Sequence, residues 1–130
     1  MASEIDLHRH LIGQQGSRAA LNTPALVIDR DALERNIAAM AAFAKAQGVA
    51  LRPHAKTHKS ADIAKLQLKA GAIGVCCAKL GEAEALAEGG IETILITSPV
   101  VTPQAIARLA ALHTKIGGLS VVADNPDNAD

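Results

Sequence analysis

Apolar positions along the chain fall into short runs separated by longer stretches of helical spacing. Residues 25–28, Ala-Leu-Val-Ile, form the first run and predict a strand. Asp31 with Glu34 three residues on has the pattern of an N-cap and capping box. It precedes Leu33, Ile37, Met40, Ala41 and Ala44 at helical spacing, and Gly48 supplies the stop. The scheme then recurs. A strand over 49–56 is followed by a helix capped by Ser60, burying Ile63, Leu66 and Ala70 and ending at Gly71. A strand over 73–78 leads to a helix over 81–88 with Leu80, Ala83 and Ala87 inward, stopped at Gly89-Gly90. A strand over 93–97 leads to a helix over 103–115 with Thr102 at its N-cap and Pro103 in its first turn. Gly117-Gly118 ends that helix, and 119–123 predicts a last strand.

Strand and helix thus alternate every roughly 22 to 26 residues, and the strands are near-continuous apolar runs. Strands of this kind belong to a parallel sheet covered by helices, since a sheet buried on both faces has no reason to alternate. The class is α/β, and a right-handed βα progression leads either to an open doubly wound sheet or to a (β/α)8 barrel. No Gly-x-Gly-x-x-Gly follows any strand, which weakens the dinucleotide-binding form of the open sheet. Residues 1–22 have no such period and predict a mobile or extended arm, in which His8 and His10 lack a third ligand for metal.

Composition narrows the function classes. Thirteen basic and thirteen acidic residues cancel, and one Phe with no Trp or Tyr removes the usual base-stacking platform, so no nucleic-acid partner is expected. No run approaches the ~18 apolar residues of a membrane span, and the N-terminus lacks the h-region of a secretory signal. No membrane partner is expected, and a cytoplasmic location follows by default. Cys76 and Cys77 are adjacent and are the only cysteines, a spacing that suits buried reduced thiols better than a metal site or disulfide.

The reactive side chains concentrate in Leu51-Arg52-Pro53-His54-Ala55-Lys56-Thr57-His58-Lys59-Ser60. In an extended strand Val49, Leu51, Pro53 and Ala55 share one face, and Arg52, His54 and Lys56 share the other. With helices outside a barrel the cationic face points inward, toward an anionic ligand. Neighbouring cations and a partly dry cavity both disfavour a charged lysine, and a neutral amine attacks a carbonyl compound. Lys56 is therefore a candidate Schiff-base lysine, and pyridoxal phosphate is the commonest partner for one. The competing reading is a solvated lysine in a loop. Pro53 also counts against a regular central strand, because it donates no ladder hydrogen bond.

Arg52-Pro53-His54-Ala55-Lys56-Thr57-His58-Lys59 resembles the cofactor-lysine motif of the fold-type III pyridoxal-phosphate enzymes, in the branch of D-threonine aldolase and the eukaryotic-type D-serine dehydratases. The segments 22–29, 74–79 (Gly-Val-Cys-Cys-Ala-Lys) and 122–126 (Val-Ala-Asp-Asn-Pro) extend the resemblance from about Thr23 to the end of the chain. It decides for the barrel: 23–130 is expected to be the first half of an alanine racemase-like (β/α)8 barrel, about four βα units preceded by a strand and a helix. The resemblance implies pyridoxal 5'-phosphate held covalently at Lys56, not Lys59, with His54 contacting the cofactor or tuning the lysine.

By the same resemblance the substrate is a D-amino acid. The expected reaction is aldol cleavage of a β-hydroxy-D-amino acid to glycine and an aldehyde; the alternatives are a D-serine or 3-hydroxyaspartate dehydratase and a non-catalytic cofactor-binding module. The ligands of a divalent metal are expected beyond Asp130. A half-barrel exposes strand edges and apolar inner faces, so a homodimer or a missing C-terminal segment is expected to complete it, and the isolated chain is expected to be inactive. Weaker candidates by position are Arg52, bridging strands deeper along the face; Thr57 and His58 in the following loop; and Lys79, Ser98, Asp124 and Asn125 at later strand ends.

Overall fold

The computed structural model describes residues 7–128. They fall into two units, Met1–Arg30 and Asp31–Asp130. In the first, two 3-10 turns, Arg9–Leu11 and Ser17–Ala20, stand where the sequence suggested an extended arm, and the backbone amide of Asn22 donates to His8 Nε2 at 3.1 Å. Residues 25–28 are not a strand here. Leu26, Val27 and Ile28 are exposed, and among the described residues the run pairs with no strand. An apolar run becomes a strand only through a partner's ladder, which sequence cannot supply.

The second unit carries the site. Helix α1 spans Arg30–Ala46, so Asp31 lies inside its first turn, beside the positive end of the helix dipole, rather than at the cap. It ends at Gly48, whose φ of 66° is the left-handed conformation a helix stop favours. Helix α2 (Ala61–Lys69), strand β1 (Val75–Cys77), helix α3 (Leu80–Glu88), strand β2 (Thr93–Ile96), helix α4 (Pro103–His113) and strand β3 (Gly118–Val121) follow in the expected order. Two caps match the sequence reading: Ser60 Oγ accepts from Ile63 N, and Thr102 Oγ1 from Ala105 N, each at 3.3 Å.

The three strands are parallel and stand in sequence order β1-β2-β3, with Cys76 opposite Leu95 and Leu95 opposite Ser120. An unreversed order is the progression of a barrel wall and also of one half of a doubly wound sheet before its switch point. Val75, Cys77, Ile94 and Ile96 point to the helices and are fully buried against Ala64, Ala83, Leu86 and Leu112. The opposite face, with Cys76, Thr93 and Leu95, is only half-buried. β1 and β2 are thus buried on one face, and β3, at the edge, on neither.

Two helix faces differ from the expected ones. Helix α2 buries Ile63 as expected and packs on the sheet through Ala61, Ala64 and Leu68, while Leu66 and Ala70 are exposed. The stripe is rotated because Ala64, with no side chain beyond Cβ, lets the backbone approach the sheet closely. Helix α3 buries Leu86 more deeply than the partly exposed Ala87. The second predicted strand, over 49–56, is reduced to a single parallel bridge between His54 and Cys76. Its carbonyls still serve the sheet: Ile73 N donates to Leu51 O at 2.9 Å and Cys76 N to Pro53 O at 2.7 Å. The missing N–H of Pro53 removes the reciprocal bond, which is why the ladder does not extend.

Candidate active site

Residues 51–54 run alongside β1 and divide their side chains as the pattern requires. Leu51 and Pro53 line an apolar cleft against Leu33, Ile37 and Met40 of α1, and Ala55 enters the core. Arg52 and His54 project from the other face. The Arg52 guanidinium lies over Gly74, but its buried Nη1 makes no hydrogen bond, so the expected bridge to a neighbouring strand is not formed among the described residues. Its backbone carbonyl accepts from the Cys76 thiol at 3.5 Å. Both cysteines are free thiols, as expected. Burial raises the Cys76 thiol, an effect the Arg52 charge partly offsets; burial pushes the Cys77 thiol up to about 11, with the Glu82 charge adding to it.

Beyond His54 the chain turns sharply. Ala55–Thr57 is one 3-10 turn, and the amides of His58 and Lys59 both donate to Ala55 O, at 3.2 and 2.7 Å. Lys59 takes a φ of 49°, a left-handed conformation uncommon outside glycine, and Ser60 then caps α2. Lys56 thus stands at the carboxyl end of the strand segment, where a (β/α) architecture places its ligand. Lys56 and Thr57 are exposed, so these residues do not form the partly dry cavity expected around the lysine.

Hydrogen bonds place His54 under this turn. Its Nδ1 accepts from Lys56 N at 3.3 Å, and its Nε2 lies 3.2 Å from Thr97 Oγ1, just past the end of β2. Thr97 Oγ1 donates to Cys77 O at 3.0 Å. Thr97 is the residue the sequence reading missed. Its position at the end of an apolar run was visible, but its nearness to His54 depends on strand register.

The two lysines of the motif differ. Lys59 Nζ lies 3.7 Å from Glu82 Oε1, and Glu82 Oε2 accepts from Ala78 N at 2.9 Å. The Ala78 amide holds the Glu82 carboxyl below the usual carboxylate range against the opposing effect of burial, and the Lys59 charge adds a smaller lowering. Lys56 Nζ has no hydrogen bond or ion pair among the described residues. The weaker candidates do not converge on it. His58 Nδ1 accepts from Ser60 N at 3.1 Å, and burial lowers its pKa, which marks it as a brace of the turn. Lys79 and Ser98 line a separate groove beside Leu80, Ile96 and Ala105, on the helix side of the strand ends. Asn125 Oδ1 accepts from Asp127 N at 3.1 Å, closing a turn after β3; Asp124 beside it is exposed.

The chemistry of this donor set fits pyridoxal phosphate at the lysine. Lys56 carries a primary amine with no carboxylate partner among the described residues, on a turn whose backbone is hydrogen-bonded to the His54 imidazole at an open strand end.

Comparison with known proteins gives the family. Residues 28–129 match the family model described as alanine racemase, N-terminal domain. The chain is 48% identical over 109 residues to 3-hydroxy-D-aspartate aldolase of Paracoccus denitrificans, covering 83% of this chain and 28% of that protein. It is 45% identical over 95 residues to D-threo-3-hydroxyaspartate dehydratase of Delftia sp., covering 71% and 25%. The crystal structure of D-threonine aldolase from Filomicrobium marinum superposes with a TM-score of 0.81 at 44% identity, over 85% of this chain and 30% of that one. The chain therefore spans about 28% of the length of the Paracoccus relative. No helix among the described residues is long and apolar enough to cross a membrane. With a parallel sheet in unreversed order, a lysine turn at its carboxyl end and these matches, the chain belongs to the alanine racemase N-terminal domain family of fold-type III pyridoxal-phosphate enzymes, alongside its aldolases and dehydratases.

Proposed function

We propose that this chain supplies the cofactor-bearing lysine, Lys56, of a pyridoxal-phosphate-dependent lyase acting on β-hydroxy-D-amino acids. The observation that carries the reading is the contrast between Lys56 and Lys59: the second is tied to Glu82 and the first is not. An amine paired with a carboxylate is drawn toward it, whereas no carboxylate among the described residues draws the Lys56 amine away from a carbonyl carbon.

When bound, pyridoxal phosphate supplies an electron sink for the carbanion left at Cα. The chain's own part is positional. The 3-10 turn sets Lys56 at the strand end, His54 accepts the Lys56 amide and fixes the backbone there, and Glu82 keeps Lys59 away from the cofactor. The preferred reaction is Cα–Cβ cleavage to glycine and an aldehyde, as in the names of the Paracoccus and Filomicrobium relatives. The Delftia dehydratase supports the second reading, loss of the β-hydroxyl with release of ammonia.

Product analysis with 3-hydroxy-D-aspartate separates the two. Glycine with glyoxylate marks cleavage; oxaloacetate with ammonia marks dehydration. The reading expects the 130-residue chain alone to bind cofactor with little turnover of either kind. Efficient turnover that survives Lys56→Ala would contradict it.

A further inference from the structure

We propose that Thr97 is a positioning residue for Lys56, acting through the ring of His54. The inference rests on the reading of Lys56 as the cofactor lysine and adds a residue to it.

Three contacts form one chain whose directions are fixed by chemistry. A backbone amide can only donate, so the 3.3 Å bond from Lys56 N requires a bare lone pair at His54 Nδ1. A neutral imidazole with Nδ1 bare carries its proton on Nε2. At the other end, the Thr97 hydroxyl has one proton and donates it to Cys77 O at 3.0 Å, so toward His54 Nε2, 3.2 Å away, its oxygen accepts. Both ends independently assign the same tautomer. A proton at Nδ1 would set donor against donor and break the bond to Lys56.

Thr97 is a firm anchor for this chain. Its backbone amide also donates to Cys77 O, at 2.9 Å, so the residue is tied twice to the end of β1. His54 is held laterally by its bridge to Cys76. The lysine turn is thereby referenced to β1 and β2 together rather than to its own strand alone. Without the Thr97 hydroxyl, only the Lys56 amide among the described residues still favours the proton on Nε2; the ring exchanges tautomers more freely, and in the other form Nδ1 no longer accepts from Lys56.

The test compares wild type, Thr97→Val and Thr97→Ser by three readouts. These are the His54 tautomer from two-bond 1H–15N correlations, hydrogen exchange of the Lys56 amide, and the rate of Lys56 labelling by pyridoxal phosphate with borohydride. Wild type is expected to show the Nε2–H form. Thr97→Val is expected to mix the tautomers, to speed Lys56 amide exchange roughly tenfold, the factor for loss of one hydrogen bond, and to slow labelling. Thr97→Ser restores all three. Unchanged tautomer and exchange in Thr97→Val, or a serine variant that behaves like valine, would overturn the proposal. A wild type with the expected tautomer but no label on Lys56 would overturn the cofactor reading on which it rests, and the first two readouts, which need no cofactor, distinguish that failure from the other.

Discussion

Arg52 lies across Gly74 so closely that a Cβ on Gly74 would stand 2.5 Å from Arg52 Nη1 and 2.7 Å from the Thr93 carbonyl oxygen. The glycine leaves the room in which a guanidinium can cross the floor of the half-buried face. Gly74→Ala is therefore expected to destabilise the chain by on the order of 2 kcal/mol, the cost of overpacking a fixed site. Urea unfolding checks this. Adding Arg52→Ala should recover only part of the loss, because the Thr93 backbone cannot move aside as a side chain can. Full recovery would show that the guanidinium alone requires the glycine.

The caps of two helices offer a comparison. Ser60→Ala and Thr102→Ala each remove one side-chain acceptor from a helix start, and each is expected to cost about 1 kcal/mol in urea unfolding. Their effects on the site should differ. Ser60 closes the turn that carries Lys56, whereas Thr102 caps α4. Ser60→Ala is expected to slow labelling of Lys56, and Thr102→Ala to leave it unchanged.

Which parts of this architecture were legible in the sequence follows from what fixes each part. The order of elements and two caps are local properties, set by apolar runs, by Ser60 and Thr102 ahead of helical spacing, and by Gly48. The strand over 49–56 is shorter than its pattern predicts because Pro53 removes a donor whose loss matters only once the neighbouring strand is known. Residues 25–28 had strand composition without a partner. Helix α2 was rotated from its expected face because Ala64 packs by being small, a signal weaker than the size of Leu66. In the site, Lys56 and His54 were visible as neighbours in sequence. Thr97, 43 residues from His54, enters only through the register of β1 with β2.

Acid should weaken the chain through Glu82. The Ala78 amide and the Lys59 charge hold its folded-state pKa below the ordinary carboxylate value. A depressed carboxyl contributes stability that is complete above the unfolded value and is lost as pH falls through the folded one. Glu82→Gln keeps an oxygen that can accept from Ala78 but has no charge to lose. The acid limb of stability against pH is expected to be shallower in that variant, with the curves converging at low pH. Parallel curves would show that the carboxylate contributes nothing specific.

The cysteines should separate by reactivity. Only the thiolate alkylates, and the Cys77 thiol is pushed up to about 11 while fully buried. In native protein at about pH 8, iodoacetamide is expected to leave Cys77 unmodified and to react with half-buried Cys76 slowly; in denaturant both react at the rate of a free thiol. Mass spectrometry of cysteine peptides reads the difference. Rapid native alkylation of Cys77 would contradict the packing of β1 against the helices.

The central claim is that Lys56, not Lys59, holds the cofactor. The most direct measurement is borohydride reduction of the purified chain with pyridoxal phosphate, followed by peptide mapping of the labelled lysine. Label on Lys56, lost in Lys56→Ala and retained in Lys59→Ala, is the predicted result. Label on Lys59 in the wild type, or spread evenly over the surface lysines, would contradict it.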